Sequence, residues 1–244
     1  MFKFIFLTSL AISSLASAAQ AKFVGSLEFT PHGCEANQLC TLKYDYGYID
    51  PDGIGWVTKA GDKTDGASIP KWAQPFIGKP FDKHFIKAAV IHDHYCDRHV
   101  RPESQTHRAF YNALRENKVP LLKAKLMFYG VTVGAQHWTT LVPGIKCSVG
   151  QNCVQLVAPT PNLHGGKVED LPNGEKLLVK EASYNQPGFD ADMKQVEKIL
   201  KTKKGPLSLA QIVALAKKRH AKDYFINVGD AVIFEDAKSK YPAQ

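Results

Sequence analysis

Beyond its opening residues the chain has no apolar run approaching the ~20 residues that a membrane-spanning helix requires, so no transmembrane segment is expected after the N-terminus. No basic stretch is interleaved with aromatics and no nucleic-acid-binding module is evident, so nucleic acid is not an expected partner. There is no internal repeat, and no Gly-rich calcium loop. Cysteine is sparse, five in 244 residues. What remains is an ordinary foldable composition, 44% hydrophobic and 22% charged, with a formal net charge of +8.

The apolar run that does exist lies in residues 1–21, "MFKFIFLTSLAISSLASAAQA". A Lys precedes it, and two overlapping A-x-A sites end at Ala18 and Ala21, so it reads as a signal peptide and the chain as exported, periplasmic or secreted. The cysteines agree with export. Four form two pairs of equal spacing, Cys34/Cys40 and Cys147/Cys153, which predicts two small disulfide loops. A single zinc site made of all four is the rival, but the C-x5-C spacing is wider than usual for zinc and an oxidising compartment disfavours thiolates. Cys96 is left over, a buried inert thiol or a reactive one.

Alternating residues in "FVGSLEF", "TLKYDYGYI" and "GWVTKA" predict a small antiparallel sheet over 23–60, with turns such as "DPDGIG" between its strands. Three helices are expected near 82–99, 103–117 and 120–140, separated by "RPE" and "KVP". "VAPTPNLHGG" reads as a linker. Beyond it the pattern predicts a hairpin around "LPNGEKLLV", helices near 189–203 and 207–220, and a strand pair in "YFINVGDAVIFED". The fold class is therefore α+β: a small N-terminal antiparallel sheet packed with a three-helix core, plus a C-terminal α/β appendage. The expected organisation is a signal peptide over 1–21, a core domain over 22–158 and an extension over 159–244. Late basic segments, "KILKTKKGP" and "AKKRHAKD", alternate with apolar residues at helical spacing; they are solvated helix faces or a surface for an anionic envelope polymer or lipid.

The chemistry concentrates in "AAVIHDHYCDRH", residues 88–99. On a helix His92, Cys96 and His99 share one stripe, and Asp93 and Asp97 form a second about 100° away. A turn near Arg101 and Pro102 would return the next helix antiparallel and bring His107 level with His92 to within ~5 Å along the axis. The loop "KTDGASIP", residues 63–70, supplies Asp65 and Ser68. Asp65-Gly66 reads as an Asx turn and Ser68 as the N-cap of a short helix through "KWAQPF", so both residues are also explained without chemistry.

The run "GDKTDGASIP", then "KAAVIHDHYCD", then "THRAFYNALRENKVPLLKAKLMFYGV" resembles, in order and spacing, a bacterial and phage-associated family known as domain of unknown function 1353. The similarity spans about residues 40–140. It implies that Asp65, His92 and Asp93 occupy the family's polar positions, and it carries no assigned activity. Where the family has the Asp of A-D-x-x-F, this sequence has Thr106-His107, an exchange that keeps a metal ligand and changes its charge.

Three readings of these residues follow. The first is a hydrolase-like site on an envelope component, with Asp65, His92 and His107 holding a divalent metal, zinc or calcium, and with His92, Asp93 and Ser68 as catalytic groups. "HDHYC" is similar to the H-D-x-C-Y of secreted phospholipases A2, but Tyr95 here precedes Cys96. The second takes "AAVIHD" as the His-Asp core of HD-domain phosphohydrolases, which also need a His on an earlier helix; His84 lies on the same predicted helix. The third is a non-catalytic binding or structural module whose polar cluster is a buried hydrogen-bond network.

Overall fold

In the computed structural model, residues 20–37, 39–143, 153–156, 163–170, 176–202 and 206–228 are described. The predicted signal peptide up to residue 19, the Cys147 half of the second cysteine pair, residues 157–162 of the expected linker, residues 171–175 of the expected hairpin and the strand expected after residue 228 lie outside them.

The N-terminal strands are short because turn residues interrupt every alternating run. They are β1 (Lys22–Val24), β2 (Phe29–Thr30), β3 (Cys40–Leu42), β4 (Tyr46–Ile49), β5 (Gly55–Thr58) and β6 (Lys63–Thr64). They form two antiparallel sheets of three strands, β1-β4-β5 and β2-β3-β6, rather than the one sheet expected. The stretch "TLKYDYGYI" is split because Asp45 turns the chain, its Oδ1 accepting from Ala60 N at 2.9 Å. The "DPDGIG" turn is held by Asp50, whose Oδ1 accepts from Asp52 N and Ile54 N at 2.9 Å and whose Oδ2 accepts from Trp56 Nε1 at 3.0 Å. Trp56 is thereby buried with its one polar atom satisfied. Cys34 and Cys40 form a disulfide, and Cys96 is free and buried.

Helices α1 (Gln74–Ile77), α2 (Ile86–Arg98), α3 (Glu103–Glu116) and α4 (Leu121–Gly134) follow. Pro102 and Pro120 stand at the N-caps of α3 and α4, where a missing N–H costs nothing. His99 closes α2 in the left-handed conformation, φ 51°, and returns its N–H to Tyr95 O. Arg101, in the connection, lies over the rings of Trp56 and Tyr95 at 4.2 and 4.8 Å and so ties the helix turn to β5. α4 is buried along nearly its whole length, as expected of a helix apolar on all sides.

The helix expected to continue to residue 140 stops at Gly134. There a side chain would collide with Phe189 and Tyr184, its Cβ lying 2.6–2.8 Å from their rings. The β-branched residues beyond it join β7 (His137–Pro143) instead. With β8 (Cys153–Leu156), β9 (Lys167–Asp170) and β10 (Lys176–Lys180) this strand builds a sheet ordered β8-β7-β10-β9, antiparallel except for the β7–β8 pair. Helices α5 (Phe189–Thr202) and α6 (Leu209–Arg219) follow, then α7 (Tyr224–Asn227), a short helix where a strand was expected because Asp223 caps it, accepting from Phe225 N and Ile226 N.

One hydrophobic cluster joins the strands, α2–α4 and the C-terminal helices, running from Tyr46 and Trp56 through Phe85, Ile91 and Leu114 to Val196 and Ile212. Burial of each such side chain contributes about 1.5–3 kcal/mol. Tyr129 of α4 donates to Asp192 of α5 at 2.6 Å, and Asp192 also pairs with Arg219 of α6 at 2.6 Å. The C-terminal region is thus seated directly on α4, and the described end of the expected linker, Leu163, packs beside Phe225 and Leu178. Among the described residues no helix is long and apolar enough to cross a membrane.

Candidate functional site

Helix α2 carries His92 and Cys96 beside His107 of α3, with Asp93 next to them at the facing loop, and α3 carries Glu103 and His107 one turn apart. His92 Nε2 lies 2.9 Å from His107 Nδ1. Cys96 Sγ, one turn further along α2, is 3.5 Å from the same Nε2. One donor atom from each of these three buried residues lies within 4.8 Å of the other two. Each imidazole has a carboxylate behind it: Asp93 Oδ1 is 3.7 Å from His92 Nδ1, and Glu103 Oε1 is 3.4 Å from His107 Nε2, an ion-pair distance that falls short of a formed hydrogen bond.

Glu103 continues the chain of contacts inward. Its Oε1 is 2.8 Å from His137 Nδ1 and its Oε2 accepts from Trp138 N at 3.2 Å. Burial alone would raise this carboxyl, but His137 and His107 outweigh it and hold the pKa at about 2. The reciprocal effects differ. Burial lowers His107 despite Glu103, whereas at His137 the carboxylate overcomes burial and the pKa is raised. Burial raises Asp93 against the pull of His92, with Asp65 and Asp97 adding to the rise, and it raises the Cys96 thiol well above its ordinary value.

The loop facing α2 is fixed by its own backbone. Gly66 adopts φ +86°, and a Cβ there would lie 2.8 Å from Pro80 and 2.9 Å from Phe81, so only glycine fits. Gly66 N donates to Thr64 Oγ1 at 3.0 Å, so the turn is made by the threonine rather than by an Asx turn at Asp65. Nor is Ser68 a helix cap, since α1 begins at Gln74 with Ala73 before it and Pro75 in its first turn.

Two cavities meet at this loop. An apolar pocket of about 580 Å³, counted with its open mouth, is walled by Ile69, Trp72, Phe110, Met127, Phe189 and Met193. A polar groove of about 860 Å³, counted likewise, is lined by Lys63, Asp65, Cys96, Asp97 and Gln136. Ser68, His92, Asp93 and Tyr184 belong to both. The structure therefore brings Asp65, Ser68, His92 and Asp93 around one groove. His107 meets His92 from behind and lines a separate cavity with Glu103 and α6, while Asp65 is not among the three converging donors.

The remaining histidines have other partners. His84 pairs with Asp82 at 2.6 Å before α2 begins and lines neither cavity, which leaves the HD-type set without its earlier histidine. His94 pairs with Asp62 at 2.6 Å, and His99 with Glu169 at 3.2 Å. Glu103, His137 and Tyr184 were not anticipated from sequence. The i,i+4 spacing of Glu103 and His107 was the available signal for the first; the other two reach the site only through tertiary contacts.

Comparison with known proteins gives the same stretch. Residues 40–131, which contain all the polar groups of the α2–α3 site and its facing loop, match the family model described as Protein of unknown function (DUF1353). The chain is 41% identical over 185 residues to the uncharacterized protein y4iH of Sinorhizobium fredii (strain NBRC 101917 / NGR234), covering 74% of this chain and 71% of the relative. It is 38% identical over 182 residues to the uncharacterized protein y4jT of the same strain, covering 70% of this chain and 54%, about half, of that relative. No solved structure matches.

Proposed function

The chain belongs to the DUF1353 family, and we propose that it is an exported, metal-assisted hydrolase acting on an acyl ester of an envelope component. The observation that carries this reading is the position of His92, Asp93 and Ser68 at the junction of an apolar pocket and a polar groove. A pocket walled by Phe110, Met127 and Phe189 suits an acyl chain, and the scissile carbonyl would then lie at the polar end. A divalent ion held where His92 and His107 converge, with Asp65 lining the groove in front of it, would bring the pKa of a bound water toward ~7. Asp93, whose carboxyl is raised by burial, is suited to take the water's proton as hydroxide attacks the carbonyl carbon. The Ser68 hydroxyl, on the lining of both cavities, would donate to the developing oxyanion, and the proton held by Asp93 would return to the departing alcohol. Export rests on the N-terminal signal pattern and agrees with the Cys34–Cys40 disulfide. The basic last turn of α6, with Lys217 and Lys218, suits an anionic envelope surface.

A second reading, a non-catalytic module held by a buried polar network, is supported by the continuous run His92–His107–Glu103–His137. A series of p-nitrophenyl esters of increasing acyl length separates the two. The enzyme reading expects hydrolysis that improves with chain length and falls ~10²–10⁴-fold in Asp93→Asn with unchanged folding. Hydrolysis of no ester by the zinc-supplemented protein, or full activity in Asp93→Asn, would leave the module.

A further inference from the structure

We infer that the metal is zinc and that its protein ligands are His92 Nε2, Cys96 Sγ and His107 Nδ1. The inference deepens the hydrolase reading by naming the ion and its donors, and it relies on that reading for nothing but the position of the site.

Three features carry it. The first is the spacing of the donors. Around a tetrahedral zinc, with ~2.05 Å to nitrogen and ~2.3 Å to sulfur, two nitrogens stand ~3.3 Å apart and a nitrogen and a sulfur ~3.5 Å apart. The distances here are 2.9 Å for the two nitrogens and 3.5 Å from His92 Nε2 to sulfur, with all three donors within 4.8 Å of one another; the sulfur, also 3.8 Å from His92 Nδ1, reaches that geometry by a rotation of the His92 ring or the Cys96 side chain.

The second is a conflict of hydrogen bonding. His92 Nε2 has either one proton or one lone pair, yet both His107 Nδ1 and the Cys96 thiol face it. When Nε2 serves His107, the thiol is left with a long contact to Nδ1 of the same ring at 3.8 Å. A cation at the centre satisfies all three donors together. The third is the arrangement behind the ligands: Asp93 beyond His92 and Glu103 beyond His107, with His107 Nε2 buried and lacking any formed hydrogen bond. A carboxylate on the far nitrogen of each ligating imidazole is the usual support for zinc.

The donor set also selects the ion. Calcium takes six to eight oxygens, whereas two imidazoles and a thiolate suit zinc. Three protein ligands leave a fourth position. His92 and Cys96 both line the polar groove, which is the side from which water reaches it.

The full chain, purified without chelator, would be analysed for metal, then stripped and titrated with zinc and with cobalt(II). We expect one zinc per chain and, in the cobalt form, a near-ultraviolet thiolate-to-metal charge-transfer band that Cys96→Ser lacks. Glu103→Gln is expected to weaken zinc binding by ~10–100-fold. In wild type alone, and so independent of whether any variant folds, zinc should protect Cys96 from alkylation, as read by mass mapping. Failure to take up zinc, a cobalt form without the thiolate band, or alkylation of Cys96 at the same rate with and without zinc would overturn the site. Zinc held by these residues without hydrolysis of any ester would keep the site and remove the enzyme; ester hydrolysis undiminished in zinc-free protein would do the reverse.

Discussion

Replacing Glu103 by Gln probes the buried network through stability, in metal-free protein. Glu103 is partly buried, its side chain 14% exposed, and faces two histidines, His137 at 2.8 Å and His107 at 3.4 Å. Gln keeps the shape and an acceptor for Trp138 N, so the change removes the charge and little else. The carboxyl's pKa falls from 4.5 to about 2 on folding. At ~1.4 kcal/mol per unit, that depression corresponds to roughly 3 kcal/mol of stability from the ionised form. The sign follows from the direction: the contribution is present above pH 4.5 and is lost as the pH falls toward 2. His137 is shifted the opposite way, so its share is complete below its unfolded value of 6.5 and declines as the pH rises through the folded one. The pair is therefore strongest between those two values. At pH 5.5 Glu103→Gln should lower stability by about 3 kcal/mol, within the ~3–5 kcal/mol typical of breaking a buried ion pair, and Tm by about 6–12 °C. Urea unfolding followed by tryptophan fluorescence at pH 5.5 and at pH 3.5 measures it. A difference below ~1 kcal/mol at pH 5.5, or a gap that widens on acidification, would refute the ionised Glu103–His137 pair.

Two further predictions concern the frame around the site. Gly66→Ala should cost at least ~1–3 kcal/mol, from the positive φ alone, and more from the contact with Pro80; an unchanged melting temperature would show that the loop is not pinned as described. Mass mapping of the non-reduced protein should recover Cys34 bonded to Cys40 and Cys96 as a free thiol, and any bridge that includes Cys96 would contradict its buried position between the helices.

The helix pair was legible because its signals are local. Pro102 and Pro120 mark the starts of α3 and α4, and the periodicity of α2 together with the short turn after it was enough to place His107 against His92. The C-terminal helices were legible for the same reason. What failed depends on distant partners. Residues 137–140 continue an apolar helical pattern, and only pairing with β10 and the crowding at Gly134 make them a strand. Glu103 was read as part of a helix break, because nothing nearby announces that His137, on a strand, will neutralise it. The apolar pocket was invisible for a similar reason: Trp72, Phe110 and Phe189 come from three separate segments, and each alone resembles an ordinary core residue.

That separation bears on how the protein can diverge. Asp65, His92, Asp93, Cys96, Asp97, Glu103 and His107 lie within residues 40–131, whereas Gln136 of the groove and Tyr184, Phe189 and Met193, which complete the wall of the apolar pocket, come from parts of the chain that the family model does not reach. The polar cluster and part of the pocket wall, with Ile69, Trp72, Phe110 and Met127, share one stretch, and the rest of the wall is encoded about fifty residues beyond it. Substitutions confined to residues 184–193 can therefore reshape one wall of the pocket while leaving the His92–Asp93 pair and its facing loop in place.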